Sequence, residues 1–154
     1  MKARTNLLVL ALCLMAVFCF AANDMAMGTW KLNESKSKMG AGAIRNSTVV
    51  YEAAGDNVKC TIDGTTSDGQ PIHTEWTGKF DGKDYPVTGE PTSAERSYKE
   101  INKHTLAFAD KSGGKSGISG RIVFSADGKT RTVYSTATDS HGKTVKSVAV
   151  YDKQ

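Results

Sequence analysis

Cysteine is scarce and badly placed for cross-linking. The chain has three, and Cys13 and Cys19 both fall in an apolar N-terminal run. That leaves Cys60 alone, so no internal disulfide can staple the rest of the molecule. Lying in an alternating stretch, Cys60 reads as a small hydrophobe in a strand. Histidine is equally thin. His73, His104 and His141 have no histidine at i+2 or i+4 and no cysteine pair nearby, which excludes the usual zinc spacings; no metal and no cofactor is expected. Beyond residue 22, no apolar run approaches the roughly 20 residues of a membrane-spanning helix. Nor is there an amphipathic basic helix for a membrane surface. Lysines and acids are interspersed rather than blocked, and no basic stripe with interleaved aromatics runs along the chain. That pattern argues against a nucleic-acid partner.

The N-terminus has a definite character. Lys2 and Arg4 precede an apolar stretch from Leu7 to Ala22, and Cys19 and Ala21 supply a small-residue exit. This is the pattern of a secretory signal, short of a membrane span. Leu12 before Cys13 and Phe18 before Cys19 speak against a lipoprotein signal. The expected organisation is a signal peptide over 1–22 and one domain over 23–154, about 132 residues, secreted or periplasmic, with no stable membrane insertion after the signal is removed. A chain of that length buries roughly two-thirds of its unfolded surface and needs no staples. Cleavage also removes two positive charges from the net +4.

Glycine supplies the organisation of the remainder. Asp63-Gly64, Asp68-Gly69, Asp81-Gly82, Gly113-Gly114, Asp127-Gly128 and His141-Gly142 punctuate the chain, and such pairs supply the positive φ of tight hairpins. Between them lie stretches of period two, of which Ile72, Thr74 and Trp76 against His73, Glu75 and Thr77 is the cleanest. His73 is thereby expected to face away from Trp76, toward solvent. The expected strands are 28–33, 44–53, 57–66, 70–80, 84–88, 94–101, 104–110, 117–126, 130–138 and 143–152, with 34–43 a mobile loop or at most one helical turn. Hairpin-length links preclude parallel pairing. The fold class is all-β: an up-and-down antiparallel meander closed into a barrel of eight to ten strands, since closure removes exposed edges.

Motifs for catalysis are weak. Gly114-Lys115-Ser116 lacks the first glycine of a phosphate loop, because position 109 is alanine, and a strand rather than a helix follows. Ser119 does not sit in a Gly-x-Ser-x-Gly elbow. Asp81 and Asp84 share a turn, where solvation is the default. No catalytic residue is assigned, and the chain is read as not an enzyme.

Gly28-Thr29-Trp30 at the first strand resembles the opening motif of the calycins, meaning the lipocalins and fatty-acid-binding proteins. Lys31-Leu32 and the closing Val150-Tyr151-Asp152-Lys153 resemble the fatty-acid-binding proteins in particular. The resemblance implies a divergent, bacterial, secreted calycin-like barrel, in which Gly28 and Trp30 are structural and the indole plugs one end. It also implies an arginine from a late strand, Arg121 or Arg131, stacked on Trp30. The chain departs from the fatty-acid-binding pattern at Ala149, where that family has a carboxylate-gripping arginine, and in having only ten residues for a helical lid. The Thr-Asp-Tyr motif of lipocalins is missing, since Lys83 precedes Asp84-Tyr85.

The expected function is binding of a small lipophilic or amphipathic molecule in the barrel. The alternative is a filled barrel acting as a structural or protein-interaction module through its loops. Candidate ligand-binding residues are Arg96, Tyr98 and Tyr134 as the polar end of a pocket, with Trp76 and Phe124, beside Val58 and Ile62, on its walls. An arginine near a tyrosine holds a carboxylate by charge-assisted bonds, although alternation alone does not say which face of 94–101 points inward. Strands 130–138 and 143–152 are rich in small residues, which favours a cavity.

Overall fold

The computed structural model describes residues 24–89, 95–139 and 141–154; the expected signal peptide lies outside them. Ten strands follow one another: β1 (Gly28–Lys38), β2 (Arg45–Ala54), β3 (Asn57–Thr65), β4 (Pro71–Gly78), β5 (Tyr85–Thr88), β6 (Glu95–Asn102), β7 (Thr105–Ser112), β8 (Lys115–Phe124), β9 (Thr130–Thr138) and β10 (Thr144–Lys153). Each pairs antiparallel with its neighbours in sequence, and β1 pairs with β10 to close the cylinder. The described residues contain no helix.

The turns follow the glycine punctuation. Gly69, Gly82, Gly113, Gly114, Gly128 and Gly142 all adopt positive φ, and the preceding acids tie the loops. Asp127 accepts bonds from the Ser125 hydroxyl and the Lys129 N–H, and Asp139 accepts the N–H groups of His141 and Lys143. Asp63-Gly64 is the exception. It stays extended within β3, where a side chain at 64 would collide with the Arg45 carbonyl.

The segment 34–43 departs from the loop expected there. β1 runs on to Lys38, with a register break against β10 between Asn33 and Lys38. Residues 34–37 carry no apolar alternation because the ladder is broken at that point. Ser37 bridges the break, its hydroxyl accepting the Val150 N–H at 2.9 Å and donating to the Asn33 carbonyl at 2.7 Å. Only 39–44 remains as a connecting loop.

The outer wall carries cross-strand polar pairs, such as the Lys59–Glu75 ion pair and the His73–Asp63 hydrogen bond, both at 2.6 Å. Inside, one half of the barrel is packed solid. Trp30 is fully buried, donates its indole N–H to the Ala26 carbonyl at 2.8 Å and packs its ring against Phe124. Gly28 holds φ +101°, and a Cβ there would press on the Lys153 side chain; an L side chain would be strained at that φ. Trp76 anchors a second aromatic group with Phe80, Tyr85 and Tyr98. These residues cluster toward the end of the barrel where β1 begins and β10 finishes.

Candidate functional site

Size changes along the barrel axis. The inward residues of β9 are Arg131, Val133, Ser135 and Ala137, and those of β10 are Val145, Ser147, Ala149 and Tyr151. Small side chains at 135, 137, 147 and 149 cannot reach the axis. A cavity of about 590 Å³ therefore fills the half of the barrel opposite the Trp30 plug, within the roughly 300–1,000 Å³ usual for small-molecule sites. The 39–44 loop lies along its mouth, pinned by the Gly40 N–H to the Ser147 hydroxyl at 2.9 Å. Its walls include Ile44, Val49, Ile62, Ile118 and Ile122, and Tyr51, Tyr98, Arg131 and Tyr151 form the inner end.

Arg96 and Tyr98 both point inward and line this cavity. Arg96 sits directly opposite Asp110 on β7, its Nε donating to Oδ1 at 2.6 Å and Nη2 to Oδ2 at 2.8 Å. The polar wall of the cavity is thus a buried ion pair rather than an isolated cation. Tyr98 packs edge-on against Trp76 and Tyr51, and its hydroxyl lies 3.9 Å from the Cys60 thiol. Burial pushes the Tyr98 hydroxyl well up from its ordinary value and raises the Cys60 thiol too, so both stay protonated and neutral.

The other three candidates lie elsewhere. Tyr134 is 51% exposed and sits on the outer wall, paired with Arg121 and Val148. The period of two that turns Arg131 and Val133 inward turns 134 outward, so its place in the expected pocket is corrected. Trp76 and Phe124 are inward but belong to the packed half: Trp76 donates its indole N–H to the Arg96 carbonyl at 2.8 Å, and Phe124 covers Trp30. Neither they nor Val58 line the cavity, whereas Ile62 does.

Of the two arginines expected near Trp30, Arg121 faces solvent and Arg131 faces in. The Arg131 guanidinium lies 5.1 Å from the Trp30 ring, 5.4 Å from Tyr51 and 4.5 Å from Tyr151, a set of cation–π contacts. Trp30 does not line the cavity and Arg131 does, so the guanidinium forms the floor above the indole plug. Sequence reasoning passed over Asp110, Tyr51 and Tyr151 as cavity residues. The alternation Leu106, Phe108, Asp110 places Asp110 on an apolar face, and that was the signal available.

No protein-family model matches the chain, and no curated protein matches it either. Among solved structures it is similar to the barrel EF1p2_mFAP2b bound to DFHBI, with TM-score 0.50 and 12% identity over 86% of this chain and 97% of that one. It is also similar to mFAP1, a redesigned β-barrel bound to DFHBI, with TM-score 0.46 and 18% identity over 86% and 98%. A third is a de novo designed fluorescence-activating β-barrel, with TM-score 0.43 and 15% identity over 87% and 97%. At 12% identity the likeness to the first is one of fold.

Proposed function

We propose that this chain is a secreted, non-catalytic barrel that binds one small lipophilic or amphipathic molecule in its lumen. The observation that carries the reading is the half-empty interior: a 590 Å³ cavity walled by aliphatic and small side chains above a rigid aromatic floor. A molecule burying about 300 Å² of apolar surface there would gain roughly 7 kcal/mol before entropy costs. A filled barrel working through its loops would have large residues at 135, 137, 147 and 149, where this one has serine and alanine. The fold neighbour EF1p2_mFAP2b is bound to DFHBI, and an occupant of that general kind suits this lumen. Arg131 against Trp30 supports the calycin resemblance, and the N-terminal Lys2/Arg4 start with its short apolar run supports export.

Titration with the neutral fluorescent probe phenylnaphthylamine tests the reading. One saturable site is expected, lost in Ala149→Phe, which fills the lumen, while circular dichroism stays that of a β-barrel. Absence of binding, or unchanged binding in Ala149→Phe, moves the assignment to the filled-barrel alternative.

A further inference from the structure

We propose that Arg131 is an anion-binding group on the cavity floor, and that the molecule held in the lumen carries a single oxyanion, such as a carboxylate, on an apolar body. This rests on the lumen being a binding site. The side chain is 2% exposed, and its Nε and Nη1 are buried without a hydrogen-bond partner. A guanidinium does not shed its proton, and a buried charge calls for a counter-charge with hydrogen bonds. Among the described residues none supplies one. Asp110, the buried carboxylate of the lumen wall, is engaged at both oxygens by Arg96. Lys111 at the rim has its own partner in Asp84 at 2.6 Å.

The rings of Trp30, Tyr51 and Tyr151 attract the cation through their faces, and the Tyr51 hydroxyl interacts with it as well, yet Nε and Nη1 stay unsatisfied. What remains is a positive charge with idle donors at the inner end of an apolar cavity. That complements a compact anion descending from the mouth with its apolar body against Val49, Ile62 and Ile122. The phenols beside it reinforce the sign. Burial raises Tyr51 and Tyr151 above the ordinary phenol value, so neither competes as an anion at neutral pH. One guanidinium without a counter-charge matches one negative charge. Arg96, already neutralised, has no such role.

The test displaces phenylnaphthylamine with naphthoate and with its uncharged methyl ester, from wild type and from Arg131→Met. Wild type is expected to hold naphthoate about tenfold or more tighter than the ester, the scale of a hydrogen bond to a charged group. Arg131→Met should lose that preference, bringing the naphthoate-to-ester affinity ratio, read within the one variant, to about one. An ester held as tightly as the acid by wild type, or equal losses of both in Arg131→Met, overturns the assignment. The wild-type comparison decides alone if the variant does not fold. Failure of phenylnaphthylamine itself to bind removes the lumen reading and this inference together, whereas its binding without an acid preference removes only the inference.

Discussion

Arg96 and Asp110 face one another across β6 and β7, inside the barrel, each only a few per cent exposed. Two inward charges on alternating strands look, one strand at a time, like two outward ones, and only the register that sets 96 opposite 110 makes them a pair. Their energetics are asymmetric. Asp110→Asn leaves a buried guanidinium without its counter-charge and is expected to cost about 3–5 kcal/mol in urea melts, whereas replacing both with Arg96→Met and Asp110→Leu should cost less than that single change. A loss under about 1 kcal/mol for Asp110→Asn would mean that water reaches the pair. The same partnership explains why Arg96, read from its sequence as a carboxylate grip, is spent on a protein carboxylate.

Among the strands, β8 illustrates how much was legible and how much was not. Its apolar face, Ile118, Ile122 and Phe124, follows from alternation, and the strand starts directly after Gly113-Gly114, two residues before the expected 117, because a two-residue turn needs no further slack. Gly120 on that same face carries no side chain to read. A Cβ there would collide with the Tyr134 carbonyl and crowd the Phe108 ring, so the backbones of β8 and β9 approach closely at this point, as glycines in curved sheets permit. Gly120→Ala is expected to destabilise by about 1–3 kcal/mol, as overpacking does, while Gly117→Ala, whose added carbon would meet only the Asp110 carbonyl at 3.6 Å, should be nearly silent in the same denaturant melts. Equal effects would place the close approach elsewhere. Strand order and hairpin positions came from glycine and alternation, which are local. The pairing of Arg96 with Asp110 and the bulge in β1 depend on register between strands, which local patterns do not carry.

For the molecule as a whole, the cluster of buried phenols around the cavity floor makes stability depend on alkali. Burial pushes Tyr51 from 10.0 up to about 12, and burial raises Tyr98 and Tyr151 as well. The folded state therefore holds these protons more tightly than the unfolded chain does, so their contribution is complete below about pH 10 and is lost as pH rises above it, for Tyr51 by about pH 12. Tyr51 alone accounts for about 3 kcal/mol over that interval. Urea midpoints should fall steeply across it, with tyrosinate absorbance rising in step with unfolding; a midpoint that holds through its upper end would contradict the burial of these rings. The plug, the floor and the empty half were partly visible beforehand in Trp30 and in the small residues of β9 and β10. The floor cation was visible only as a choice between Arg121 and Arg131, because Arg131 lies among threonines that give no hint of depth. A last consequence comes from β5, four residues long and containing Pro86, which among the described residues faces each neighbour at two pairs. A hoop parts at its thinnest stave. Amide exchange in β5 is therefore expected to outpace that in β2 and β3, whose ladders are longer; equal protection would place the weak seam elsewhere.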